Sequence, residues 1–213
     1  MEIGDPATTA SQTFNDCDIS HNYVNGILDI KMTNVNQQIR NIISSNFVTN
    51  DFKFLSSLGD NTFVGNWVGG NMLLTSNGGF SQYEFTNNTL DSNNVILDLI
   101  VQTRNSNKDI NRRNTIVSNH VGNDFKFEAT IMESTFSGNT IDGSLILSNT
   151  GGESQVPDFS NNSIVNNRIN KGLNNPTGLL IQADPLNGGS INCDYSHNRI
   201  GGNAEFPGSH SYK

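Results

Sequence analysis

A six-residue pattern, apolar-x-x-Asn-x-apolar, recurs along this chain and constrains its fold more than any other feature. Copies begin at Ile19, Ile43, Phe63, Phe85, Ile116, Phe136, Phe159 and Tyr195. Their asparagines are Asn22, Asn46, Asn66, Asn88, Asn119, Asn139, Asn162 and Asn198, at intervals of 24, 20, 22, 31, 20, 23 and 36 residues. Self-similarity at such a period marks a solenoid. Six to eight residues after the Asn comes a second apolar pair with one residue between: Leu28/Ile30, Phe52/Phe54, Met72/Leu74, Phe125/Phe127, Leu145/Leu147 and Ala204/Phe206, with Val95/Leu97 one residue late in the fourth copy. Spacing of two is strand spacing, and no sustained 3.6-residue stripe competes with it. Each repeat therefore reads as short strands joined by tight turns, closing into a coil whose strands pair with the coils above and below at roughly 4.8 Å.

The fixed Asn has a physical task in such a coil. A tight turn leaves backbone N–H and C=O groups that the sheet ladders do not reach, and buried groups of that kind must be paired. An inward amide bonds both the local turn and the next amide in the stack, so the asparagines should form a ladder. The residues just before them (His21, Ser45, Gly65, Asn87, Ser118, Gly138, Asn161 and His197) are rich in types that tolerate positive φ. Four residues after the Asn stand Gly26, Asn50, Gly70, Ser92, Asn123, Gly143, Asn166 and Gly202, which suggest a second corner.

The pattern resembles the right-handed parallel β-helix of the pectin-lyase-like superfamily, whose repeats carry an inward Asn ladder at one turn. The F-x-x-N form at Phe63, Phe85, Phe136 and Phe159 is also similar to half of the repeat in chlamydial polymorphic outer membrane proteins, and the coils resemble phage tailspike β-helices. The resemblance spans about residues 13–206. It implies an all-β, single-stranded right-handed parallel β-helix of about eight coils, with residues 1–12 as an arm or cap and 207–213 as a tail.

Composition agrees with a thin rod. Hydrophobic content is 34% and Asn is about one residue in six, as turns and a large surface require. A net charge of −8 and a pI near 4.8 speak against nucleic acid as a partner, and no apolar run reaches membrane-spanning length. The start, Met1 to Pro6, shows no basic and apolar leader. That is expected of a cytoplasm-made virion protein or of a piece cut from a longer surface protein. Cys17 and Cys193 share one repeat position, five before the Asn, in the first and last copies. They are expected as buried thiols too far apart for a disulfide.

Three outward columns attract functional readings. Directly after the Asn stand Tyr23, Phe47 and Trp67, an aromatic stripe suited to a protein interface or to sugar stacking. Seven after the Asn, the column Asp29, Lys53, Leu73, Lys126, Ile146 and Glu205, with Ile96 for the shifted copy, is apolar at Leu73, Ile96 and Ile146, a hint of lateral packing in a trimer. Four before the Asn, Asp18, Glu84, Asp158 and Asp194 share a column with threonines, and Asp158 with Asp194 is its one adjacent acidic pair. Loop surplus is expected near Gln102 to Arg113, with four basic residues, and near Asn167 to Gly189, with Leu179 to Ile181 as its strand. No grouping predicts a catalytic set, a metal site or a cofactor.

The expectation is a non-enzymatic structural or attachment protein, in particular a virion-associated fibre, spike or capsid-decoration protein that assembles as a trimer. Its partners would be virion or cell-surface proteins or a glycan, without nucleic acid and without membrane insertion, and its location a virion or a cell surface. A polysaccharide-binding or degrading tailspike-type module and an adhesin passenger fragment are the alternatives.

Overall fold

The computed structural model describes residues 1–3, 16–31, 38–55, 58–76, 85–103, 110–128, 130–148, 159–171, 176–182, 190–206 and 210–211. Among the described residues every regular element is a strand, and the strands pair in parallel. A nine-stranded sheet runs through Glu2–Ile3, Leu28–Lys31, Phe52–Leu55, Met72–Ser76, Leu99–Thr103, Phe125–Glu128, Leu145–Ser148, Thr177–Gln182 and Asn203–Glu205. An eight-stranded sheet extends from Tyr23–Val24 to Arg199–Ile200, and a seven-stranded one from Asp18–Ser20 to Ser163–Val165. A five-stranded sheet, Ile110–Arg112 to His210–Ser211, is joined through bridges at Thr86 to the pair Gln38–Ile39 and Leu58–Gly59. In-sheet neighbours lie one whole coil apart in sequence. Parallel pairing at that separation is consistent with a parallel β-helix.

Alternation sets the core. Leu28, Phe52, Met72, Leu99, Phe125, Leu145 and Leu179 stack in one inward column of the nine-stranded sheet, and each is at most 1% exposed. Phenylalanines cross between sheets edge to face, Phe54 on Phe63 with ring centres 5.4 Å apart and Phe127 on Phe136 at 5.6 Å. Such T-shaped contacts fill a narrow interior with few residues per coil.

The Asn ladder exists, but there are two of them. The first runs Asn22, Asn46, Asn66, Asn93, Asn119, Asn139, Asn167, Asn198, each amide donating to Oδ1 of the next at 2.9–3.0 Å. The second lies five residues earlier in each coil: Asn41, Asn61, Asn88, Asn114, Ser134 and Asn162, each backbone N–H bonded to the next side chain at 3.0–3.1 Å. Cys17 and Cys193 stand at its two ends; the Cys17 N–H donates to Asn41 Oδ1, and Asn162 Nδ2 meets Cys193 Sγ at 3.9 Å. Asn88 and Asn162 therefore belong to the second ladder, and Asn93 and Asn167 replace them in the first. Most rungs also donate Nδ2 to a strand carbonyl of the preceding coil, as Asn139 does to Ile116 O at 3.0 Å.

This five-residue slip corrects several expectations at once. In the fourth coil Leu99 and Val101 pair with Met72 and Leu74. Val95 instead joins Val68 and Val121 in the eight-stranded sheet, and Leu97 is exposed. Ser92 and Asn166 are not second-corner residues but precede rungs of the first ladder, with φ of 55° and 57°. The expectation of positive φ before each rung holds at both ladders. His21, Ser45, Gly65, Ser118, Gly138 and His197 show it at the first, and Asp16, Arg40, Asp60, Asn87, Arg113, Glu133, Asn161 and Asn192 at the second.

The long intervals shrink once the register is right, so part of the expected loop surplus is strand. Ile110–Arg112, Arg168–Ile169 and Thr177–Gln182 all pair within sheets, the last containing the expected Leu179 to Ile181. Arg104 and Lys108 lie outside the described residues. Of the expected arm and tail, Glu2–Ile3 pairs with Asp29 and Ile30, and His210–Ser211 with Ser190 and Ile191; residues 4–15 lie outside the described residues.

Asn139→Ala takes the acceptor from the Asn119 backbone N–H and the side-chain donor from the Ile116 carbonyl, so urea unfolding should show a loss of about 1–3 kcal/mol; a loss near zero would remove Asn139 from the interior. Cys193→Asn restores an oxygen acceptor above Asn162 and should raise stability by about 0.5–1.5 kcal/mol in the same assay.

Candidate functional site

The aromatic stripe follows directly from the first ladder, because the residue after each rung begins a strand of the eight-stranded sheet and points outward. Tyr23 pairs with Phe47 and Phe47 with Trp67. Their rings stack at 5.4 and 4.2 Å with interplanar angles of 7° and 4°. Tyr23 is 71% exposed and Phe47 39%. Two inter-strand steps make the stripe about 10 Å long.

Stacking decides what this stripe offers. Each inner ring face is taken by its neighbour, so the surface presented is a row of ring edges, with an open face at Tyr23. Such a row offers apolar edge contact along its length and one ring face, at Tyr23, for stacking. Trp67 leans over Gly69: a Cβ on that glycine would meet Trp67 Cη2 at 3.1 Å and run into the Thr49 carbonyl oxygen. One coil on from Gly69 is Ile96, after Val95, the partner of Val68. Ile96 and Leu97, 42% and 44% exposed, therefore extend the apolar strip beyond Trp67. Further along the column the outward residues become Asn94, His120, Thr140, Arg168 and Arg199. His120 faces Asp142 at 3.2 Å.

Ile96 is thus part of the stripe's margin and not of the column in which the repeat count placed it. That column, on the nine-stranded sheet, reads Asp29, Lys53, Leu73, Ile100, Lys126, Ile146, Leu180 and Glu205. Leu73 and Ile146 do share it, and each is half-buried. A third side-chain ladder lines the corner beside it: Asp51 Oδ1 accepts the Asn71 N–H, Asn71 Oδ1 that of Asp98, and Asp98 Oδ1 that of Asp124, at 2.9–3.1 Å. The second carboxylate oxygens of Asp98 and Asp124 hold Lys126 Nζ at 3.1 and 3.5 Å. Burial alone would lower the Lys126 pKa, but the hydrogen bond and charge of Asp98, with Asp124 behind them, hold it above the ordinary 10.5.

The third column, on the seven-stranded sheet, is a hydroxyl row: Thr62, Thr89, Thr115, Thr135 and Ser163, bounded by Asp18 and Ile42 at one end and Asp194 at the other. Glu84 and Asp158 lie outside the described residues, and the position beside Asp194 that the repeat count gave to Asp158 is held by Ser163. The hydroxyl and N–H of Ser196 lower the Asp194 pKa below 3.8, with His197 adding to them. A general acid requires the opposite shift.

Among the described residues no cluster of three or more His, Cys, Asp or Glu side chains is placed to hold a metal ion, and no helix is long and apolar enough to cross a membrane. Compared with protein-family models, curated proteins and solved structures, the chain matches none.

A cation whose pKa is raised by folding contributes its stability fully below pH 10.5, and that contribution is lost as pH rises through the elevated folded value. Lys126→Gln should therefore be less stable than the native chain at neutral pH, with the difference closing above pH 10.5 in paired urea titrations. A pH-independent difference would assign the effect to packing of the lysine stem.

Proposed function

We propose that this chain is a non-enzymatic structural or attachment protein, a right-handed parallel β-helix of about eight coils in the manner of the pectin-lyase-like superfamily. A virion-associated fibre, spike or capsid-decoration protein, working at a virion or cell surface, is the setting this reading favours. The observation that carries it is the stacked strip of Tyr23, Phe47 and Trp67, with Ile96 and Leu97 exposed at its margin. Exposed apolar residues held this rigidly side by side mark an interaction surface more than a tolerated accident. Mutual stacking fixes the rings before any partner arrives, so docking costs little side-chain entropy.

In this reading the chain assembles as a trimer through the outer face of the nine-stranded sheet beyond Leu73, where Ile100, Ile146 and Leu180 share a column and Lys126 between them is held by its carboxylates. The aromatic strip cannot sit on a three-fold axis, because Arg168 and Arg199 of the same column would then meet their own copies. It stays outward for the partner.

Two readouts on the purified chain test this together. Light scattering should give a mass near three times 23.2 kDa, and acrylamide should still quench Trp67, the single tryptophan. A monomer would sink the trimer. A trimer with Trp67 shielded would put the strip inside the assembly and remove it as an attachment surface.

A further inference from the structure

On the outer face of the nine-stranded sheet, toward its N-terminal edge, a cavity of about 80 Å³ is lined by Asp29, Lys31, Lys53, Leu55, Leu73 and Thr75. Register explains the convergence. Asp29, Lys53 and Leu73 occupy one outward column and Lys31, Leu55 and Thr75 the next, so six side chains from three adjacent strands meet there. Two polar atoms in this lining are buried without a hydrogen-bond partner: Thr75 Oγ1, on a residue only 7% exposed, and Asp29 Oδ1. An orphaned buried group costs about 1–3 kcal/mol. In a chain that pairs its buried asparagines rung by rung, two orphans in one hollow call for a ligand that completes them.

Their chemistry defines that ligand. Asp29 Oδ2 accepts from Lys31 Nζ at 2.7 Å, so Oδ1 is an acceptor that lacks a donor. The Thr75 hydroxyl donates or accepts. Lys31 and Lys53, each with a side chain 38% exposed, stand as ammonium groups at the mouth, Lys53 with Asp51 no nearer than 3.9 Å. Leu55 and Leu73 make an apolar wall. The group that meets all of these carries an anion, an N–H or O–H donor beside it, and an aliphatic branch between them. A simple anion lacks the donor and the branch, and an aliphatic side chain alone leaves both polar orphans buried.

We propose that this cavity captures the carboxyl-terminal residue of a partner protein chain ending in a small aliphatic side chain such as Val or Leu. The terminal carboxylate sits between Lys31 and Lys53, the last backbone N–H donates to Asp29 Oδ1, Thr75 Oγ1 bonds a carboxylate oxygen, and the side chain rests on Leu55 and Leu73. Capture of a chain terminus by charge plus one fixed donor–acceptor pair needs a hollow no larger than one residue, which this volume provides. The cavity lies on a different sheet from the aromatic strip, so its failure leaves the docking reading intact, and the reverse.

The test is titration calorimetry on the full chain with acetyl-Gly-Gly-Val, its C-terminal carboxamide, and free valine. The free-acid peptide should bind about tenfold or more tightly than the carboxamide, the loss expected when a charge-assisted pair is removed. Thr75→Val removes one orphan with a near-isosteric side chain; it should weaken peptide binding about tenfold while leaving the Tm equal or higher. Lys53→Gln, at the surface, should weaken binding without changing the Tm and serves where Thr75→Val does not fold. Equal binding of acid and carboxamide, or native-like binding by both variants, overturns the proposal. Loss of stability in Thr75→Val without peptide binding by the native chain also overturns it, because the hydroxyl then serves an internal water. Preferential binding of free valine overturns the assignment to a protein terminus in favour of a free amino acid.

Discussion

The hydrogen bond from one asparagine amide to the Oδ1 of the asparagine one coil away is the interaction on which the rest of this structure depends. At each corner the residue before the rung and the rung's own carbonyl keep backbone partners one coil away, as the Ser118 N–H does at Ser137 O and Asn119 O does with the Thr140 N–H, but the rung's N–H turns to a side chain. The amide of the next rung supplies that acceptor. Nδ2 donates down the stack, Oδ1 accepts the backbone N–H and the amide of the neighbouring rung, and the repetition passes each bond's demand to the next coil. The corner residue before each rung must then adopt positive φ, at a cost that Asn and Gly keep small. Asp16, Arg40 and Glu133 adopt it too, which shows that the ladder, not the corner residue's own preference, sets the backbone there.

Because the ladders fix the corners, the outward positions are released from folding duty and organise into columns. Three sheets display different ones: stacked rings and then arginines, threonine hydroxyls, or aliphatic pairs separated by lysines. A fourth column follows the positive-φ residues of the second ladder, where Arg40 holds Asp16 at 2.6 Å, its hydrogen bond depressing the carboxyl pKa. That pair is well exposed, and surface pairs of this kind contribute little stability. Its interest is spatial, since the residues were 24 apart in sequence before the coil closed.

The solenoid class, the inward asparagines, the positive-φ corners and the aromatic stripe were all legible in the residues. The register was not, for a physical reason. The hexapeptide apolar-x-x-Asn-x-apolar describes a strand, a left-handed residue, an amide and another strand, and two successive corners of the same coil use that sequence. Phe85 to Leu90 and Phe159 to Ile164 fit it at the second ladder, while Leu90 to Val95 and Ile164 to Ile169 fit it at the first. The aromatic copies at Phe85 and Phe159 sit at the second corner, so a series of one hexapeptide per coil crosses from one corner to the other there. The missing signal was the doublet of asparagines five apart, Asn41/Asn46, Asn61/Asn66, Asn88/Asn93, Asn114/Asn119 and Asn162/Asn167, which names both corners together. Cys17 and Cys193 fall at the same offset because each ends the second ladder, where one side of the rung has no further asparagine to satisfy.

The candidate sites inherit that error unequally, and this separates what a repeat pattern reveals about function from what it hides. Tyr23, Phe47 and Trp67 precede the first slip, so their alignment survived intact. Ile96 followed it and moved from one sheet to the border of another. The acidic pair drawn from Asp158 and Asp194 gave way in that column to Ser163 and Asp194. The cavity at Thr75 was invisible for a different reason: it depends on two adjacent outward columns considered together, and on which oxygen of Asp29 the Lys31 ammonium leaves unused. A ladder imposes the same spacing on every coil, so regular columns announce themselves in the sequence. A binding hollow is an interruption of that regularity, and it becomes visible only when the unsatisfied atoms are counted in three dimensions.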